Sequence, residues 1–409
     1  MKPKILSICR FLAVSFAIFA KNKTDNVWQQ TLLFVISYYS TMSYLFHIRL
    51  HHGMYIGRLG DGSLPNDGLY VLLYKIIAKS VEEHLNGFGN LIEITITDKL
   101  VTVRDFGQGI PLNLLISTVS EYCPQKNYQK ERKYVECPCG IGLDVVNALS
   151  SEFIARSVQQ GAAHTVTFSQ GLRTDDKWED ETDEKDGTMI SFCVDTEIFG
   201  EYSYNMEYVE HLIKTFCYLN KGLTINLNGT VYTAENGLLD LIDENVRERL
   251  HYPPIHLSDD NVEVVIAHSR CRKKERCYSF VNELYTPLGG KHQKAFLKAI
   301  VRVLNKFYHD DFHPSSIICT SLVAAIAIKV SEPCFDGANK IELISKDMWS
   351  DGPSIYSYVT KFLNRHLTDY LNKNTGTADK LGSVIGYNEY NLSARNKISR
   401  LTFDYFPKK

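Results

Sequence analysis

Leu100-Val-Thr-Val-Arg-Asp105-Phe-Gly107-Gln-Gly109-Ile-Pro111 alternates side-chain character and then breaks at an Asp-x-Gly-x-Gly turn. The alternation predicts a strand ending at Asp105. Its partner is Ile92-Glu-Ile-Thr-Ile96, joined to it as a hairpin across Asp98-Lys99. A carboxylate at a strand end can accept a hydrogen bond from an adenine amino group, and glycines let the backbone approach the base. The competing reading is an ordinary tight turn with Asp105 as a turn residue.

Outward from this turn the pattern stays mixed. Upstream, Leu69–Leu85 repeats apolar residues at helical spacing and stops at Gly87. Lys75, Lys79, Glu82 and Asn86 fall on its polar side, which by spacing alone reads as a solvated face with i,i+3 or i,i+4 charge pairs. Downstream, Gly140-Ile-Gly142 opens the helix Leu143-Asp-Val-Val-Asn-Ala-Leu-Ser150, where N–H groups and the helix dipole could face phosphates. Strands flank Gln159-Gln-Gly161, and eight carboxylates between Asp175 and Asp186 read as a solvated loop before the strand at Gly187-Thr188.

The second half predicts a helix near Val209–Leu219 and a hairpin turning at Asn228-Gly229. Strands follow at Val262–Ala267 and Tyr278–Asn282, then a helix at Lys291–Phe307, a β-rich run at Ser316–Val330 and a last helix at Ile355–Leu371. Cys123, Cys137 and Cys139 lack a fourth ligand at useful spacing, so no metal site is expected.

The 409 residues, 44% hydrophobic and 22% charged with a net charge of −2, suit two ordinary globular domains. They exclude a strongly basic nucleic-acid coat. Ten cysteines without a regular framework fit a reducing, cytoplasmic setting. Ile5–Ala20 has the polarity of an export signal, but Arg10 interrupts it and Phe19-Ala20-Lys21 is a poor cleavage site. Residues 1–36 are therefore expected as an apolar extension with no membrane segment.

Taken in order, these segments resemble the ATPase region of the bacterial type IIA topoisomerase B proteins, the DNA gyrase B and topoisomerase IV B-subunit family. Gly53-Met-Tyr-Ile-Gly57 matches the family's Pro-Gly-Met-Tyr-Ile-Gly, and Asp105-Phe-Gly-Gln-Gly-Ile-Pro111 its Asp-Asn-Gly-Arg-Gly-Ile-Pro. Val145-Val-Asn-Ala-Leu-Ser150 is nearly verbatim, and Leu288-Gly-Gly-Lys-His292 resembles its Gly-Gly-Thr-His segment. The resemblance implies an α/β (α+β) fold: a Bergerat-type (GHKL) ATPase sandwich over 37–235, then a transducer domain with a β-α-β crossover over 236–375 and a tail over 376–409. It implies ATP held by Asp105, Gly109, Ile110, Pro111, Gly140, Gly142 and Thr188, with Lys340 reaching in from the transducer. It also implies DNA and an A-type cleavage subunit as partners, with possible homodimerisation.

The departures bear on mechanism. The family's water-activating Glu falls at Lys75 and its Mg²⁺-holding Asn at Lys79; Ser80, Val81 and Glu83 fix the register. Gln108 replaces the Arg that pairs with the carboxylate at Glu83. Cys137-Pro138-Cys139 replaces part of the lid, and Ala338-Asn339 replaces the transducer Gln-Thr. The family continues into a metal-binding TOPRIM domain, whose Glu-Gly-Asp-Ser start is not found before Lys409. Two lysines one turn apart could face a triphosphate in place of Mg²⁺, or could mark a pseudo-ATPase interaction module.

Overall fold

The computed structural model describes residues 44–121, 142–246, 249–271, 276–282, 284–319, 321–331, 333–336 and 342–405, with side chains described to 393. Gly140, Lys340, Ala338-Asn339 and the cysteines at 123, 137 and 139 lie outside these residues, as does the extension over 1–36.

An eight-stranded sheet runs in the order β5-β4-β3-β6-β2-β1-β7-β8. Its strands are β1 (Leu91–Thr97), β2 (Leu100–Asp105), β3 (Ser150–Gln159), β4 (Ala162–Ser169), β5 (Leu172–Glu179), β6 (Gly187–Val194), β7 (Thr224–Leu227) and β8 (Thr230–Thr233). Every neighbouring pair is antiparallel except β1 with β7. Three of its hairpins turn on a left-handed residue followed by a left-handed glycine: Gln160-Gly161, Gln170-Gly171 and Asn228-Gly229. Two positive φ values in a row match the right-handed twist of the flanking strands, which is why glycine follows each time. Asn228 also clamps β1, accepting from the Ile96 N–H at 2.9 Å and donating to the Ile96 carbonyl.

Helices cover one face of this sheet. α1 (Gly68–Leu85) lies across β2 and β6, α2 (Leu115–Ser120) and α3 (Leu143–Ala148) sit near β3 and β4, and α4 (Met206–Leu219) backs β7 and β8. α1 is apolar on most of its circumference, and thirteen of its eighteen residues are buried, so it is a core helix and not an amphipathic cover. Fully buried Asp67 sets the turn before it, accepting the Gly62 and Leu64 N–H groups at 3.0 and 3.1 Å.

The second sheet runs β12-β11-β13-β10-β9. It comprises β9 (Ile255–Ser258), β10 (Val262–His268), β11 (Arg276–Val281), β12 (Leu284–Tyr285) and β13 (Leu322–Ile328). β11 and β13 are parallel neighbours, and the chain between them passes through a long helix, so a β-α-β crossover is present. α5 (Leu238–Asn245) packs against β10 and β13 and links the two sheets. α6 (Lys291–Tyr308) forms the crossover and lies against α7 (Ile355–Lys373), which is followed by α8 (Thr375–Tyr405).

Three local expectations change. The acidic segment is only half loop, because Leu172–Glu179 forms the edge strand β5. Arg156 on β3 binds Glu179 at 2.8 Å and Glu184 at 2.7 Å, which ties both ends of the acidic run to the sheet. The β-rich run at 316–330 starts instead with the helical turn Pro314–Ile317, with proline in the first turn and the His313 ring accepting the Ser315 N–H. The helix at 355 is not the last. In α8, Leu381 and Ile385 are buried one turn apart, and the Asn388 amide donates to the Ser316 carbonyl.

The first core does not stop at the first sheet. Val265, Phe280, Val323 and Ala325 from the second sheet belong to the same apolar cluster as α1 and α5. Phe280→Ala is therefore expected to lower stability by about 3–5 kcal/mol in a single urea transition followed by circular dichroism. A biphasic curve, with the first phase unmoved, would show that the sheets unfold independently.

Candidate nucleotide site

Asp105 ends β2 with 4% of its surface exposed. Its Oδ1 accepts the N–H of Gly107 at 3.1 Å and of Thr188 at 3.0 Å, and its Oδ2 accepts the Ser80 hydroxyl at 3.1 Å. One carboxylate thus joins the turn, strand β6 and helix α1. Burial pushes its pKa up to about 6; the two backbone N–H groups pull it down, and nearby Glu83 raises it. Thr188, expected to face nucleotide, meets Asp105 here through its backbone.

The glycines have packing reasons of their own. At Gly109, φ is +75°, and an added Cβ would lie 2.8 Å from the Val158 carbonyl oxygen and 2.9 Å from Ser157 Oγ. At Gly107 it would lie 2.7 Å from the Glu83 side chain. Backbone closeness demands both residues before any ligand is considered. Ile110 is buried and its carbonyl accepts the Ser157 hydroxyl at 2.6 Å, while Pro111 leads into the short 3-10 turn Leu112–Leu114. Gln108 keeps contact with Glu83 through its backbone, its N–H donating to Glu83 Oε2 at 3.1 Å.

The polar side of α1 is not the solvated face its spacing suggests. Glu82 and Glu83 are 3% and 6% exposed, and Lys75 and Lys79 are half-buried. The apolar surface of α1 continues around the helix, so its charged residues are enclosed by the elements packed on it. Lys79 Nζ meets Glu82 Oε2 at 2.5 Å. Burial pushes the Asp144 carboxyl up, opposed by the Tyr44 hydroxyl and the Gly142 and Val145 N–H groups, with the charge of Lys75 a smaller lowering influence.

Asp144 is the residue that sequence reasoning passes over. It is fully buried in the first turn of α3, where Oδ2 accepts the Tyr44 hydroxyl at 2.5 Å and Oδ1 accepts the Gly142 N–H at 2.6 Å. The Gly142 N–H, expected to be offered to phosphate, is thus taken by a side chain of its own helix. The available signal is a lone carboxylate inside the apolar run Leu143-Asp-Val-Val. The helix at 44–50 is fixed to the same corner by Arg49, which donates to the Ala148 carbonyl at 2.8 Å and pairs with Asp195 at 2.6 Å.

The structure brings Asp105, Thr188, Gly109, Ile110 and Pro111 to the C-terminal half of α1, where Ser80 and Glu83 meet them; Lys79 directly precedes Ser80, Lys75 lies one turn further back, and Gly142 is held by Asp144 at the start of α3. No group of three His, Cys, Asp or Glu residues that could hold a metal occurs among the described residues. Nor is any described helix long and apolar enough to cross a membrane.

The DNA gyrase B family model matches residues 207–398. Among curated proteins, the chain is 38% identical over 305 residues to the B-subunit of DNA topoisomerase 4 from Borreliella burgdorferi, covering 74% of this chain and 50% of that one. It is 30% identical over 361 residues to the DNA gyrase B-subunit of Staphylococcus epidermidis, covering 80% and 54%. The chain thus spans about half the length of these relatives. Among solved structures, the 43K ATPase domain of Thermus thermophilus gyrase B superposes with a TM-score of 0.69 at 22% identity, covering 87% of this chain and 98% of that one. The ATPase region of Saccharomyces cerevisiae topoisomerase II superposes at 0.63 and 17% identity, covering 83% and 97%. With the GHKL ATPase fold and the motifs in family order, the chain belongs to the DNA gyrase B and topoisomerase IV B-subunit family, of which it matches the N-terminal region.

Proposed function

We propose that this chain is the nucleotide-binding clamp segment of a divergent type IIA topoisomerase B-subunit homologue, and that it binds ATP without hydrolysing it by the family's route. Asp105 carries the reading. A buried carboxylate at a strand end, held by backbone N–H groups and backed by close-packed glycines, supplies the fixed acceptor that an adenine amino group needs.

The phosphate end argues against hydrolysis. Lys75 stands where the resembling family has its general base, and a lysine beside a carboxylate and a phosphate stays protonated. It cannot take a proton from water, and loss of a general base alone costs about 10²–10⁴-fold. Lys79, at the position of the metal-holding Asn, is a cation paired to Glu82. That position does not fit Mg²⁺, since like charge repels the ion, so no step is assigned to the metal. Both lysines instead offer positive charge to the phosphates. DNA and an A-type cleavage subunit belong to this reading as partners, with nucleotide-dependent pairing of two copies as the clamp's motion.

A second reading, a pseudo-ATPase interaction module, is favoured by one observation: Asp144 occupies the Gly142 N–H. Isothermal titration with a non-hydrolysable ATP analogue separates the two. The wild type is expected to bind equally well with and without EDTA, and Lys75→Glu/Lys79→Asn only with Mg²⁺. No binding by wild type in either condition would leave the module reading.

Asp105 yields a pH test with a defined sign. Its folded pKa is pushed up to about 6 from an ordinary 3.8. Between those values the folded state keeps a proton that the unfolded chain has lost, so its contribution to stability falls as pH rises through the window. The full drop is about 3 kcal/mol. In urea titrations from pH 4 to pH 7, the stability of wild type relative to Asp105→Asn should fall by that order. A difference that does not change with pH would place the ionisable group elsewhere.

A further inference from the structure

Three histidines stand together in His47-Ile-Arg-Leu-His51-His52, just ahead of the helical turn Gly53–Ile56. His47 and His51 are one helical turn apart, because the His51 N–H donates to the His47 carbonyl at 2.9 Å. Side chains at that spacing share a face. Both residues are exposed, and their ring centres lie 4.6 Å apart with the planes inclined at 47°. Two imidazoles bound to one ion through nitrogens at about 2.0–2.1 Å have ring centres about 4.5–5 Å apart. The pair already stands at ligand spacing.

His47 also has the support a ligand needs. Its Nδ1 is hydrogen-bonded to the Tyr55 hydroxyl at 3.1 Å, and the two rings meet edge-on. With the proton on Nδ1, that N–H donates to the tyrosine oxygen and Nε2 keeps its lone pair for a cation. A ring nitrogen fixed in this way is the usual companion of a metal-bound imidazole. The His51 ring makes no hydrogen bond among the described residues, so both of its nitrogens are available. His52 contributes nothing here, since its Nδ1 is buried.

We infer that His47 and His51 form a two-histidine site for a late first-row divalent cation, zinc in the first instance, with Tyr55 holding the His47 ring. Imidazole suits zinc, copper and nickel, whereas Mg²⁺ and Ca²⁺ take oxygen ligands. Two histidines leave about two positions of a tetrahedral ion to water. Helical His-Glu-x-x-His zinc sites carry a glutamate base directly after the first ligand. Here that position is Ile48, which is fully buried, so the site holds an ion without a hydrolytic base. The ion joins the end of the helix at 44–50 to the turn that carries Tyr55. The same helix holds Asp144 through Tyr44 and binds the Ala148 carbonyl and Asp195 through Arg49. Zinc therefore stiffens the corner to which α3 is fixed.

The site uses none of the residues proposed to meet ATP, and its test is run without nucleotide. The full chain, its thiols blocked with N-ethylmaleimide to remove sulfur ligands, is titrated with ZnCl₂ by isothermal calorimetry. His47→Ala and His51→Ala each change an exposed side chain, and circular dichroism checks their folds. Tyr55→Phe keeps the ring and removes only the hydroxyl; it should weaken zinc binding about tenfold. Each alanine variant should lose at least as much, and the double variant no more than either, because a chelate is gone once one ligand is gone. With Cu²⁺ in place of Zn²⁺, electron paramagnetic resonance should count two coordinated nitrogens in the wild type and one in each single variant. Unchanged zinc binding in the double variant would overturn the site. Losses that add between the single variants would also overturn it, by showing two independent surface histidines. Full-strength binding by Tyr55→Phe would overturn the part given to the tyrosine.

Discussion

The Asp105 end of α1 is arranged around a buried carboxylate that has to be satisfied. Asp105 cannot remain unpaired at the end of β2 without a cost of several kcal/mol. Its partners come from three elements: Ser80 from α1, Gly107 from the turn and Thr188 from β6. Those three bonds set how α1 lies on the sheet and how the Asp-x-Gly-x-Gly turn folds back over Glu83. The glycines follow from that constraint, because the turn then runs too close to Glu83, Val158 and Gly187 for any side chain. The position of this carboxylate and the packing of the domain are thus one requirement.

Charge along the polar side of α1 follows the same logic with the signs exchanged. A half-buried lysine is tolerable beside a carboxylate and costly alone. Lys79 has Glu82 three residues on, and the charge of Lys75 is felt by the buried carboxylate of Asp144 on a different helix. Asp144 in turn needs donors, which Tyr44 and the Gly142 N–H supply. The Asp144 carboxylate thus ties α3 to the helix at 44–50 by hydrogen bonds and feels the charge on α1. A glutamate at 75 would repel the buried Asp144 carboxylate that lysine attracts, so the charges here are coupled as a group.

The fold is legible in the chain where periodicity and turn chemistry agree. The β1–β2 hairpin, the strands around Gln159-Gln-Gly161 and the Asn228-Gly229 turn all form, because each couples alternation to a positive-φ position that few residues tolerate. Elsewhere the deciding information is tertiary. Leu172–Glu179 becomes a strand because β4 offers a free edge and Arg156 holds the acidic end, and neither is visible in its polar composition. The face of α1 carrying Lys75 and Lys79 reads as solvated because spacing records which residues share a face but not what packs on it. Asp144 escapes notice for the same reason. A carboxylate in an apolar run signals only when its partner, Tyr44 from another helix, is known to reach it.

Two concentrations of positive charge survive in a chain that is nearly neutral overall, and they differ in kind. The lysines of α1 are half-buried and matched to carboxylates, so they act at short range on whatever enters between them. The stripe on α6, Lys291, Lys294, Lys298, Arg302 and Lys306, is exposed, mostly without carboxylate partners among the described contacts, and spread along about 22 Å, so its action is long-ranged and sensitive to salt. They lie on different sheets, but those sheets share an apolar core through α5, Phe280 and Val265. A rearrangement of α1 would press on that shared core and not on a flexible joint. Packed cores respond to such pressure by shifting between discrete arrangements and not by yielding smoothly. α6 and α7 themselves pack in a second apolar cluster with Val264, Ile266, Ala324 and Ile326, so the second sheet stands between the two concentrations of charge.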